Sequence, residues 1–232
     1  MRFFSSTFSL SPSLHPSELV TGKIIGRGGF CTVHEITSIR LNDARRSSWG
    51  FGGNRSNPRR GNGNVSDTNS ELDDTHSGSD LSLREYMAAN CNKGGTPRYV
   101  LKRVAEEHLY NSKVTFLKGT VDLAMEMKFL TALRHPNIMT LRGVAAVTPF
   151  QEGYYLIMDK LTETLPKRIK KWSTTDRQTK GITGVFVGGK KKVSSLMIDR
   201  LCVAYSIANA VNFLHLRQII YRDLVSNPMT MT

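Results

Sequence analysis

Apolar positions change their spacing several times along this chain, and each spacing predicts a different element. Residues 19–25 and 31–39 are two apolar runs around a glycine turn, the pattern of a β-hairpin. From residue 42 to residue 97 the chain is mostly Ser, Gly, Asn and charge. Such a stretch buries too little apolar surface to offset the entropy of ordering it, so a disordered insertion is expected, with a short helix near residues 81–90. Arg98-Tyr99-Val100-Leu101-Lys102-Arg103-Val104 then reads as a strand with one lysine among apolar neighbours. Val121, Ala124, Met125, Lys128, Phe129, Ala132 and Leu133 come next at helical spacing. Thr120 is suited to cap that helix, Asp122 to its first turn, and His135-Pro136-Asn137 to stop it. Residues 138–147 and 154–159 are two further strand candidates. Residues 196–216, with apolar side chains at 197, 201, 204, 207, 208, 211 and 214, predict a long amphipathic helix.

At 232 residues and 39% apolar content, the chain has material for one sizeable core or two small ones. The opening, residues 1–18, lacks a signal-peptide core and is expected to be disordered. No run approaches the roughly 18 apolar residues that a membrane-spanning helix requires. Cys31, Cys91 and Cys202 are odd in number and have no metal-type spacing, which argues against a disulfide framework or a metal site and for a reducing, intracellular, cytoplasmic setting. The net charge of +13 is partly local: residues 167–192 hold nine basic side chains against one acid, Asp176. Rich in Gly, Ser and Thr, that stretch reads as a solvated basic loop. Without aromatic interleaving, a nucleic-acid partner is not expected.

Ile25-Gly26-Arg27-Gly28-Gly29-Phe30-Cys31-Thr32-Val33 carries the first candidate chemistry. Glycines at such a turn leave room for close backbone approach and for positive φ, so amides can face phosphate oxygens. A plain tight hairpin would use the same glycines, and the order of the motifs further along the chain separates the two readings.

That order resembles the front half of a eukaryotic protein kinase domain, from about residue 19 to residue 224 apart from the insertion. Gly26, Gly28, Phe30 and Val33 match the glycine-rich loop over the nucleotide, with Ile25 and Gly29 beside them and Cys31 where the family often has a third glycine. Val100-Leu101-Lys102 is similar to the family's strand whose lysine contacts the α and β phosphates, and Glu126 is the implied carboxylate partner, with Asp122 one turn earlier as competitor. Tyr155-Leu156-Ile157-Met158-Asp159-Lys160-Leu161 resembles the strand entering the hinge, with Met158 as gatekeeper and the backbones of Asp159 and Leu161 on the adenine edge. Ile219-Ile220-Tyr221-Arg222-Asp223-Leu224 resembles the catalytic loop, tyrosine replacing histidine, with Asp223 as catalytic base.

The implied fold is α+β: a kinase-like small lobe over residues 19–161, with a five-stranded antiparallel sheet and one helix. The first helices of an incomplete helical large lobe would occupy 162–224. Ile25, Val33, Leu101, Leu130, Leu141 and Ile157 would form the small lobe's core, and the apolar face of the helix at 196–216 would be left exposed. Past Leu224 the family continues Lys-Pro-x-Asn, whereas residues 225–232 begin Val225-Ser226-Asn227-Pro228. Val-Ser-Asn can be encoded GTA-AGT-AAY, so the expectation is a reading frame that enters an unspliced intron and a kinase domain truncated after Asp223. The resemblance implies ATP and a protein substrate as partners, serine/threonine specificity, and magnesium whose ligands this chain lacks, hence no catalysis by the chain as it stands. Alternatives are a nucleotide-binding pseudokinase-like regulatory module, or a basic binder of nucleic acid or a membrane surface.

Overall fold

The computed structural model describes residues 11–42, 74–180 and 189–221. Strands β1 (Ser13–Leu14), β2 (Leu19–Arg27) and β3 (Cys31–Ile39) are followed by helix α1 (Asp74–Ala89) and the short strands β4 (Asn92–Lys93) and β5 (Thr96–Pro97). Next come β6 (Tyr99–Val104), α2 (Glu106–Asn111), α3 (Lys113–Ala132), β7 (Leu141–Ala145), β8 (Tyr155–Asp159), α4 (Leu165–Lys180) and α5 (Gly189–His215). The main sheet runs β1-β7-β8-β6-β3-β2. Its five long strands are antiparallel neighbours, as the α+β kinase-like reading requires.

The sixth strand is a correction to that reading. Ser13–Leu14 pairs parallel to β7, so residues 11–18 are ordered rather than part of a disordered start. Two residues are too few to show a periodicity, and what holds them is tertiary. Pro12 and Leu14 carbonyls accept from the amides of Val144 and Ala146 at 3.0 and 2.8 Å, and Tyr155 Oη donates to the Leu14 carbonyl at 2.7 Å. Gly143 makes the approach possible, since a Cβ there would sit 3.0 Å from the Pro12 carbonyl oxygen. A 3₁₀ turn at Pro16–Glu18 then points Glu18 inward.

The insertion at 42–97 is also corrected over its second part. Residues 74–97 form α1, which contains the short helix expected near 81–90 and starts earlier, and a hairpin whose turn glycines, Gly94 and Gly95, have φ of 57° and 75°, as a tight two-residue hairpin turn demands. Met87 and Cys91 join the main core, and Asn92 Nδ2 donates to the Thr37 carbonyl at 2.7 Å. Composition missed this because its few apolar side chains sit close together at one end. Residues 43–73 lie outside the described residues.

Helix α3 begins eight residues before the start that a Thr120 cap would give, capped instead by Ser112 Oγ, which accepts from the Thr115 amide at 3.3 Å. Thr120 is no cap; it is buried, and its hydroxyl donates to the Phe116 carbonyl at 2.9 Å. Gly119, Thr120 and Leu123 face the sheet, whereas Val121, Met125 and Phe129 of the predicted apolar face are exposed. A helix apolar on all sides gives periodicity no single face to find.

The core is sheet against α3: Leu14, Ile36, Leu123, Leu156 and Ile157 are fully buried. Of the anticipated core, Leu101, Leu141 and Ile157 are buried and Leu130 packs at the margin, but Ile25 is 43% exposed. The basic loop at 167–192 is a further correction, since residues 165–180 form α4 and 189–192 open α5. Asp199 on α5 accepts from Arg168 Nη2 at 2.5 Å and Trp172 Nε1 at 2.6 Å, which joins the two helices. The long helix ends as its apolar pattern does. Gln218, at φ 60°, closes it in the left-handed conformation usual after a helix, and the Ile219 amide donates back to the Leu214 carbonyl at 3.0 Å. Its apolar face stays open, with Met197, Ile198, Leu201 and Tyr205 each more than half exposed.

Candidate functional site

One row across the sheet carries the candidate site. Gly26 on β2 is the register partner of Val33 on β3, Val33 of Lys102 on β6, and Lys102 of Leu156 on β8. The lysine thus sits two strands in from the glycine-rich edge, on a strand bonded on both sides, so its backbone is rigid. Its Nζ meets Glu126 Oε2 on α3, both side chains about a quarter to a third exposed. Between the two candidate carboxylates the fold brings Glu126 to the lysine. Asp122, one turn earlier, instead adds negative potential near the Cys31 thiol.

Cys31 lies close enough to this pair for both charges to act on its thiol. Burial pushes its thiol up from the ordinary cysteine range; Lys102 opposes the rise, and Glu126 and Asp122 add to it. The side chain at the family's third-glycine position is therefore a neutral, apolar neighbour of the lysine, not an activated thiolate.

The turn between β2 and β3 is closed by the Gly28 amide donating to the Cys31 carbonyl at 2.7 Å. None of Gly26, Gly28 and Gly29 has positive φ, so the anticipated left-handed conformation is absent. What glycine supplies is room: a Cβ at Gly29 would meet nothing within 4 Å, and one at Gly26 would come no closer than 3.6 Å to Val33. Phe30 folds inward onto α3, where Gly119 seats it; a Cβ on Gly119 would lie 3.0 Å from that of Phe30 and 3.3 Å from Val104. The Phe30 carbonyl accepts from the Ala105 amide at 2.9 Å, and His108 Nε2 lies 3.3 Å from the Gly29 carbonyl oxygen. These ties to α2 and α3 were invisible in the sequence, because Gly119 and His108 belong to no motif.

At the far end of β8, Met158 is buried, in register with Val100 and Leu141. Asp159 Oδ2 accepts from Arg142 Nε and Nη2 at 2.9 and 2.6 Å, and the carboxylate holds the Arg142 guanidinium above its usual range. Lys160 reaches back to Glu35 Oε1 at 2.7 Å, a hydrogen bond that holds the Glu35 carboxyl below the usual carboxylate range. The Lys160 amide donates to the Arg98 carbonyl at 2.8 Å, and the chain then leaves the sheet at Leu161, whose side chain is exposed. Ile25 and Val33 flank the glycine edge, Ile25 facing solvent. Asp223 and Arg222 lie outside the described residues. Among the described residues no group of three or more His, Cys, Asp and Glu side chains is placed to hold a metal ion.

The fold therefore brings Gly26, Val33, Lys102 and Glu126 together across the sheet and sets Met158 and Asp159 at the end of the interior strand β8, with Leu161 where the chain leaves the sheet. A fixed cation beneath a turn of small residues is suited to neutralising an anionic group laid against the strand. Residues 100–229 match the family described as protein tyrosine and serine/threonine kinase. Over 132 residues, 57% of its length, the chain is 30% identical to mitogen-activated protein kinase kinase kinase 12 of Rattus norvegicus, and it spans 12% of that relative. With more than half of its residues inside the family match, and with the paired lysine and glutamate in place, the chain belongs to the protein tyrosine and serine/threonine kinase family.

Proposed function

We propose that this chain holds ATP with its phosphates against Lys102, beneath residues 26–33, as the nucleotide-binding part of a serine/threonine protein kinase. The observation that supports the reading is the Lys102–Glu126 contact lying in register with Gly26 and Val33. A carboxylate on a packed helix holds the ammonium in place, so phosphate charge is met without rearrangement. Ile25 and Val33 would cover the base and Met158 would set the depth of its slot. The Leu161 backbone, free of hydrogen bonds among the described residues, would join the Asp159 backbone on the adenine edge. Asp223 would accept the substrate hydroxyl's proton. Val225-Ser226-Asn227 stands where the family has Lys-Pro-x, and Pro228 in place of the metal-binding asparagine.

That departure favours a second reading, a nucleotide-binding regulatory module without phosphoryl transfer. Thermal shift with ATP, with and without magnesium, joined to transfer of labelled phosphate onto serine, threonine and tyrosine peptides, tests both. ATP stabilisation lost in Lys102→Ala supports nucleotide binding, and labelled serine or threonine supports the kinase. No ATP effect overturns both.

A further inference from the structure

On the side of the small lobe walled by α1, a cavity of about 350 Å³ opens between α1, the end of α3, β7 and residues 11–12. We propose that it is a second binding site, for a small amphiphilic anion: an apolar body of drug-like size carrying one carboxylate- or sulfonate-type head. It is separate from the Lys102 site and stands whether or not the chain transfers phosphate.

The volume lies in the range of ligand sites rather than of packing voids. Its floor is apolar and rigid, with Met87, Tyr99 and Leu141 each at least nine-tenths buried. Leu130 and Leu133 from the end of α3 form one wall. Opposite them, Leu83 and Tyr86 of α1 are 43% and 53% exposed, apolar surface that an occupant would cover. The walls are preformed, because Arg84, next to Leu83, is locked to the buried Glu18 carboxylate at 2.6 Å. An apolar body would enter without the cost of ordering the site.

The mouth has one sign of charge. Arg134, His135 and Arg142 line it, and no lining residue is acidic among those described. Arg134 is exposed and makes no ion pair among the described residues. Arg142 spends Nε and Nη2 on Asp159 Oδ2, and Nη1 takes no hydrogen bond among them. Thr140 adds a hydroxyl at the rim, and the Tyr86 hydroxyl is engaged by Arg98. An anionic head at the two guanidiniums with its apolar body on Tyr99 and Leu141 satisfies both halves of the cavity, whereas a cation meets like charge at the mouth and a fully polar ligand leaves the apolar floor uncovered.

The test is fluorescence titration of the full chain with 8-anilinonaphthalene-1-sulfonate, an aromatic sulfonate. One saturable site is expected. Its affinity should fall about tenfold in Arg134→Glu, where an attractive charge becomes repulsive, and similarly in Leu133→Trp, where the wall fills the space. Arg134 is at the exposed rim, so its variant keeps the fold, which an unchanged thermal midpoint checks. Leu201→Glu, on the open face of α5, should leave the titration unchanged. If Leu201→Glu abolishes the signal while Arg134→Glu does not, the dye reports the α5 face and the proposal is overturned. One-for-one displacement by ATP would likewise place the dye in the nucleotide site and overturn it.

Discussion

Glu18 and Arg84, 66 residues apart, form an ion pair with carboxylate and guanidinium almost wholly withdrawn from water. Glu18 Oε1 also accepts from the Asn42 amide at 3.1 Å and Oε2 from the His15 amide at 2.7 Å. The pair pins the segment before β2 to α1, the helix in the second part of the insertion. Removing one partner leaves the other charge buried and unpaired. Glu18→Ala should therefore cost about 3–5 kcal/mol, read as a lowered urea midpoint. A loss no larger than that of an exposed salt bridge would show that the pair is solvated in solution.

Lys102→Ala should leave the unfolding midpoint nearly unchanged, since the pair with Glu126 is partly exposed and such pairs contribute about 0–1 kcal/mol. It should remove the rise in midpoint given by ATP, which for one site grows as the logarithm of ligand over Kd. Equal ATP stabilisation in both proteins would exclude the lysine from the phosphate site.

Gly119 is the seat of Phe30, and a methyl group there requires the Phe30 or Val104 side chain to move. Gly119→Ala gains helix propensity of about 1 kcal/mol but forces a contact tighter than van der Waals distance, for which overpacking costs about 1–3 kcal/mol. The expected result is no net stabilisation together with weaker ATP binding, because the turn is pushed off α3. Stabilisation near 1 kcal/mol with unchanged ATP binding would mean that Phe30 yields freely.

Asp199 is the joint between α4 and α5. Hydrogen bonds from Arg168 and then Trp172 hold its carboxyl below the usual range. A carboxyl depressed in the folded state contributes stability above its unfolded value of 3.8 and loses that contribution as pH falls through the lower folded value. Trp172 emission should accordingly stay constant from neutral pH down to about 4 and change below it. Asp199→Asn, which cannot titrate, should show no such acid transition.

The hairpin at 19–39, the strands ending in Val104 and Asp159, and the long helix before Gln218 were legible because each alternates or repeats on one length scale. Lys102 and Glu126 were legible as a pair only through the motif order around them, since neither side chain is distinctive alone. Illegible were the elements whose apolar residues are few but well placed: Leu14 in a two-residue strand, and Met87 and Cys91 at the end of a polar stretch. Local composition reports the average burial of a segment, and these segments are anchored by single side chains. The sheet-facing side of α3 was hidden for the opposite reason, an excess of apolar positions.

By itself the chain's order of residues determined the glycine-turn hairpin, the strands ending in Val104 and Asp159, the long helix and the kinase family with its antiparallel small lobe, because those depend on periodicity and on motifs read in succession. Only the tertiary structure decided that Glu126 rather than Asp122 meets Lys102, that Gly119 receives Phe30, and that Glu18 closes on Arg84. Each of these choices depends on the rotation of a helix about its axis or on a contact across tens of residues. Such quantities are set by how all the apolar surfaces pack at once, and no local stretch of sequence contains them.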